Sequence, residues 1–206
     1  MKKILFVILS VFLTPVAFSQ YFNTTQISVL MGNRPISERR PTQSGSFDDH
    51  TQFFPSVTMT NGKRFDEHWV AGVGVGVEIF DRSLFPVFAD IRYTLWDNKV
   101  SPFFAFKLGY SFGNFKKIHY DNLTLHFDPY RVNNADYKKD GGVLLHPEAG
   151  VRIPLNNKAD LLFTVAYRYQ KIKSTVTPGE GAEWNDKWEY KESLNRLSFG
   201  IGVTFR

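Results

Sequence analysis

The 206-residue chain contains no cysteine, which excludes a disulfide framework and a lipoprotein anchored through an acylated cysteine. Beyond its first 20 residues it has no 3.6-residue apolar stripe, so helices are not what the pattern specifies. It has no Pro- or Ser-rich linker and no internal repeat, and residues 20–206 therefore read as one domain. No run of lysine and arginine interleaves with aromatics as a nucleic-acid surface requires. The one long apolar run, Ile4 to Leu13, is too short to cross about 30 Å of hydrocarbon as a helix.

That run follows Lys2 and Lys3 and precedes Ala17-Phe18-Ser19. A basic start, a short apolar stretch and small residues before the cleavage point make residues 1–19 a secretory signal peptide, with cleavage expected near Gln20. Loss of Lys2 and Lys3 takes the formal net charge from +5 to +3, and this small excess is spread along the chain and names no partner. Aromatics are plentiful instead, at 16% with 20 Phe. That is more than a small core needs, and it predicts apolar surface facing something other than water.

The stretch WVAGVGVGVEIF, Trp69 to Phe80, places Gly72, Gly74 and Gly76 on one face of an extended chain and Ala71, Val73, Val75, Val77 and Ile79 on the other. A dinucleotide fingerprint needs its third glycine three residues on, at a helix start. Val77 stands there, so that reading is set aside. Glycine weakens a strand interior, and three in register mark a face where space is scarce.

Period-two alternation predicts eight strands, at about 24–31, 53–60, 69–80, 84–95, 102–112, 143–153, 161–172 and 194–206. Their lengths cluster near the 9–11 residues of a tilted membrane-crossing strand. Short polar turns at 61–68, 96–101 and 154–160 alternate with long polar loops at 32–52, 113–142 and 173–193, with 81–83 the one short exception. This asymmetry belongs to barrels with short periplasmic turns and longer extracellular loops. A soluble β-sandwich and a lipocalin-like barrel with an apolar lumen share the alternation. What separates them is residue size. The polar face is rich in Gly, Ala and Ser, which fit a narrow eight-stranded lumen, while the apolar face carries Phe and Tyr, with Tyr93, Tyr110, Tyr167 and Tyr169 near strand ends where an interfacial belt would lie. The fold expected is therefore an all-β, eight-stranded, antiparallel, up-and-down transmembrane barrel.

With its signal peptide and eight alternating segments, and in the stretches WDNKVSPFFAFKLGYSFG (96–113), HPEAGVRIPLNNKADLLFTVAYRYQ (146–170) and RLSFGIGVTFR (196–206), the chain resembles the small outer-membrane β-barrel proteins of Bacteroidota. In fold it is similar to OmpA/OmpX-type barrels. The resemblance implies insertion by the outer-membrane assembly machinery, which reads the last strand. Where the usual signal ends on an aromatic, Phe205 here is followed by Arg206. The resemblance carries no ligand motif.

Alternation points eight charged residues inward: Glu78, Asp90, Arg92, Lys107, Glu148, Arg152, Arg168 and Arg196. In a lumen too narrow for bulk water they must pair or cost several kcal/mol each, which predicts a structural salt-bridge network that plugs the barrel. A narrow ion or solute path is the alternative. A lipid A-modifying hydrolase or acyltransferase is the rival from another class, with Ser111, His146 and Glu148 near one rim as nucleophile, base and orienter. All three are predicted to face the lumen, whereas an acyl chain approaches from outside, so catalytic residues are not expected. His50, His68, His119 and His126 fall in loops or turns without the further ligands a metal site needs, and neither metal nor cofactor is expected. The loop at 173–193 sets Trp184, Trp188 and Tyr190 among Glu180, Glu183, Glu189 and Glu192, a contact surface for an extracellular protein or glycan or a set of headgroup anchors. The expectation is a non-enzymatic barrel of the cell outer membrane, with the lipid bilayer, the assembly machinery and a loop-bound partner as its contacts, and no nucleic acid.

Overall fold

The computed structural model describes residues 20–32, 52–79, 83–96, 100–113, 117–124, 131–183 and 185–206. The expected leader 1–19, His50, His126 and Trp184 lie outside the described residues.

Nine antiparallel strands follow one another among the described residues: β1 (Tyr21–Gly32), β2 (Gln52–Arg64), β3 (Trp69–Glu78), β4 (Phe85–Thr94), β5 (Ser101–Phe112), β6 (Ile118–Thr124), β7 (Arg131–Asn156), β8 (Ala159–Pro178) and β9 (Trp188–Phe205). Eight close a ring. Each of β1 to β5 pairs with the next, β5 skips β6 to pair with β7, β7 pairs with β8, β8 with β9, and β9 returns to β1. The ring leaves no open edge within the barrel. Strand β6 stands outside it and, among the described residues, pairs with the start of β7, Ile118 opposite Tyr137 and Thr124 opposite Arg131.

The outside is apolar along every strand of the ring. Ile27, Met59, Val75, Val87, Phe106, Val151, Val165 and Ile201 are all exposed at mid-strand positions. Aromatics bound this band: Trp69 packs on Tyr93 at 4.9 Å between ring centroids toward the short-turn end, and Tyr110 on Phe112 at 5.0 Å toward the other. The 10 residues of β3, at about 3.3 Å each and tilted by about 40°, cover roughly 25 Å, the height of a lipid-facing band.

The short turns are tied locally. Asp66 Oδ1 accepts from the backbone N–H groups of His68 and Trp69, both at 2.7 Å, and this holds its carboxyl below the usual carboxylate range. Asn156 Oδ1 likewise caps Lys158 N at 2.8 Å.

The opposite end departs from expectation. Strand β7 begins at Arg131 where 143 was predicted, β8 runs to Pro178 beyond 172, and β9 starts at Trp188, ahead of 194. Much of the expected loops 113–142 and 173–193 is therefore strand, and β6 was not foreseen. The first two strands are also longer than predicted. The reason is physical: above the apolar band the outer face meets water, so KKD, KSTVT and WEYKES lose the apolar alternation that identifies a strand, while main-chain pairing continues. The result is a four-stranded extension of β6, β7, β8 and β9. Its inner face buries Ala135, Tyr137 and Val176. Tyr137 donates to Ser174 Oγ at 2.8 Å, and Asn134, at φ 53°, donates through its side chain to Gly181 O and accepts from Gly179 N, tying β7 to the β8–β9 turn.

Inside the ring, the glycines leave room for aromatics. A Cβ at Gly74 would lie within the van der Waals shell of the Phe88 ring, and one at Gly150 would meet Phe103 Cε1 at 2.7 Å. Gly74→Leu is expected to destabilise the barrel by about 1–3 kcal/mol through overpacking, read from urea unfolding in lipid vesicles, whereas Val73→Leu on the outer face leaves the midpoint in place.

Candidate functional site

All eight charged residues assigned to the inner face are there, none more than 5% exposed. They form three groups along the barrel axis.

The upper group lies toward the extension. Arg168 NH1 donates to Glu78 Oε1. Gln170 Nε2 donates to Glu78 Oε2 at 2.9 Å and to Ser111 Oγ at 2.8 Å, and Gln170 Oε1 accepts from Arg196 NH1 at 2.8 Å. The Arg196 guanidinium also lies 5.4 Å from the Phe54 ring centroid, a favourable cation–π contact in a desolvated site. Above this group Leu30, Phe54, Leu84, Ile172 and Leu194 pack into one buried apolar cluster.

The middle group centres on Glu148. Its Oε2 accepts from Lys107 Nζ at 2.8 Å, Gln26 Nε2 at 3.0 Å and His146 Nε2 at 3.3 Å. Gln26 completes the set, since its Oε1 accepts from Lys107 at 3.0 Å and its Nε2 also reaches Thr164 Oγ1 at 2.8 Å. Arg168 Nε donates to His146 Nδ1 at 3.1 Å, joining the middle group to the upper one.

The lower group is looser. Arg92 NH2 meets Asp90 Oδ2 at 3.4 Å and its guanidinium lies 4.9 Å from the Phe103 ring centroid. Arg152 NH2 donates to the Trp96 carbonyl at 2.6 Å. The lumen thus mixes carboxylate pairs with amide and carbonyl partners. Of the eight, three are carboxylates, Glu78, Asp90 and Glu148, and five are cations, and the neutral acceptors Gln170 and the Trp96 carbonyl take hydrogen bonds from Arg196 and Arg152.

Two of the most connected residues, Gln26 and Gln170, were not singled out from the sequence. Each bridges elements far apart in the chain, and a neutral amide on a polar face carries no periodic signal. Alternation gave their facing; nothing gave their partners.

Ser111, His146 and Glu148 are also on the lumen face, all buried. They do not form a nucleophile–base–acid relay. A donor occupies His146 Nδ1, which fixes the proton on Nε2, and Nε2 faces Glu148. Neither ring nitrogen is left to take a proton from Ser111, whose oxygen accepts from Gln170. Of the other histidines, His68 Nδ1 lies 2.8 Å from the Thr94 carbonyl and His119 Nδ1 lies 3.0 Å from Asp136 Oδ1. Among the described residues no three His, Cys, Asp or Glu side chains are grouped to hold a metal ion.

The expected aromatic loop is divided: Glu180 and Glu183 lie in the β8–β9 turn, whereas Trp188 and Glu189 lie in β9, opposite Val176 and Thr175. Glu189 bridges Lys173 at 2.7 Å and Lys187 at 2.9 Å, and these hydrogen bonds hold its carboxyl down at about 2. At the other end of the barrel Arg206 turns inward and forks onto the buried Asp160, with Arg206 Nε 2.8 Å from Asp160 Oδ2, while Phe205 stays exposed on the outer face. An aromatic therefore ends the outward face of the last strand although it is not the last residue.

No family model and no curated protein matches the chain. Among solved structures, Neisserial surface protein A is 13% identical, with 90% of this chain and 95% of that one covered and a TM-score of 0.51. The outer membrane protein OprG from Pseudomonas aeruginosa is also 13% identical over the same shares, with a TM-score of 0.52. At this identity the likeness is one of fold: the chain has the eight-stranded up-and-down barrel architecture of small outer-membrane barrels.

Proposed function

We propose that the protein is a non-enzymatic barrel of the outer membrane, exported by its signal peptide, with a plugged lumen and a role played by the extension and loops it displays outside the cell. The observation that carries this reading is the lumen itself: a connected network running from Gln26 and Lys107 through Glu148, His146 and Arg168 to Glu78, Gln170 and Arg196, beneath an apolar cluster of Leu30, Phe54, Leu84, Ile172 and Leu194. An eight-stranded ring has only enough interior for side chains, and an apolar constriction opposes ion entry by excluding water. The lipid bilayer is its solvent and the assembly machinery its transient partner. A protein or glycan docks on the extension.

The test is conductance in planar bilayers. The protein should insert and migrate heat-modifiably on gels, yet carry no steady single-channel current. A reproducible open level in the wild-type protein would replace the plug with an ion path. An acyl-group change in lipid A that disappears with Ser111→Ala would restore the enzyme reading.

A further inference from the structure

Three lysines on the outer face of the extension share one sector of β8 and β9. Lys171 and Lys173 lie on β8 two residues apart, on the face that carries Tyr167 and Tyr169, and Lys191 on β9 stands directly opposite Lys173. Directly opposed like charges in a sheet repel one another. The nearby carboxylates engage Lys173 but neither Lys171 nor Lys191. Glu189 is shared between Lys173 and Lys187, and Asp140 is engaged by Lys138 at 3.0 Å and by Thr175 at 2.7 Å. Among the described residues neither Lys171 nor Lys191 has an ion-pair partner, and both are exposed. On the other side of the barrel, the corresponding rim of β1 to β4 presents Val29, Phe53, Val77, Ile79 and Phe85, with no lysine or arginine among the described outward residues.

Height decides what such a sector meets. Along the strand register Lys171 stands level with Tyr110 through Val143, and Lys173 level with Phe112 through Gly141, both beyond Tyr169 at the upper limit of the apolar band. If the band lies in hydrocarbon, as the proposed function has it and on which this inference rests, the lysine ammonium groups lie at the level of lipid headgroups. Lysine binds phosphate as a point charge with three donors. We infer that the β8–β9 sector, through Lys171, Lys173 and Lys191, is a binding site for the phosphate of an anionic lipid headgroup in the outward leaflet.

The test uses the full protein in phosphatidylcholine vesicles with spin-labelled lipids, comparing the motionally restricted fraction of labelled phosphatidic acid with that of labelled phosphatidylcholine. The wild type is expected to select phosphatidic acid, and added salt to weaken the selection. At about fivefold for each lysine near the headgroups, Lys171→Gln with Lys191→Gln should cut the selectivity by roughly 25-fold, while Lys158→Gln in the turn at the opposite end leaves it unchanged. Equal selectivity in wild type and double variant, or none in the wild type, overturns the site while leaving the membrane reading intact. Displacement of the label by inorganic phosphate as effective as by unlabelled phosphatidic acid would assign the site to free phosphate and overturn the lipid. Failure to insert into phosphatidylcholine at all would instead refute the membrane reading, and this inference with it.

Discussion

Glu148→Ala lowers the stability of the barrel by about 3–5 kcal/mol, the cost of leaving a buried charge without its partner. Lys107 is 2% exposed and its ammonium group has two acceptors, Glu148 and the Gln26 carbonyl oxygen. Removal of Glu148 leaves the charge facing a single amide and also strips an acceptor from Gln26 and from His146. The paired variant is more informative than the single one. When both charges of a buried pair are replaced by apolar groups of similar volume, much of the loss is recovered, because neither desolvation cost remains. Lys107→Met with Glu148→Leu should therefore unfold at a higher urea concentration than Glu148→Ala alone. A double variant as unstable as the single one would mean that the middle group holds the barrel through the amide and imidazole bonds and not through the ion pair.

Val75→Arg costs about 2–4 kcal/mol when the side chain sits at the bilayer midplane. Val75 lies halfway along β3, opposite Met59 and Val87, with Val73 and Val77 on the same outer face. Depth supplies the control. Ile79→Arg, beyond the end of the same strand, should cost only about 0–1 kcal/mol, since an arginine near the interface reaches water. Unfolding in vesicles gives both values. A soluble barrel would accept both substitutions with little change.

The ring was legible because its alternation runs without interruption. In β1 to β5 and in β9 every second residue faces the lumen, so a count from a glycine on the same strand puts Glu78, Lys107 and Arg196 on the inner face, and alternation with Val87, Ala89 and Ile91 puts Asp90 there. Along β7 and β8 the pairing shifts twice, between Lys139 and Gly141 and between Pro154 and Asn156. Both shifts lie outside the stretch that carries Glu148, Arg152 and Arg168, so the facing of those three survived. The extension was not legible, because above the band the outer residues are as polar as a loop and the inward pattern of Ala135, Tyr137 and Val176 is too sparse to count. Pairing across the lumen was closed to sequence reasoning altogether. Arg168 and Glu78 are 90 residues apart, and only closure of the ring brings them together. The same closure separates Ser111 from His146 in chemistry although both face inward.

The absence of cysteine allows the most direct measurement of the central claim that the apolar face meets lipid. Single cysteines at Val73, Val75, Val77, Phe163, Val165 and Ile201, spin-labelled in reconstituted vesicles, can be tested for collision with oxygen, which concentrates in hydrocarbon, and with a water-soluble nickel chelate. Oxygen collision is predicted to peak at Val75 and Val165 and to fall toward Trp69 and Tyr167, with the chelate excluded throughout. Free access of the chelate to Val75 and Val165 would contradict the account.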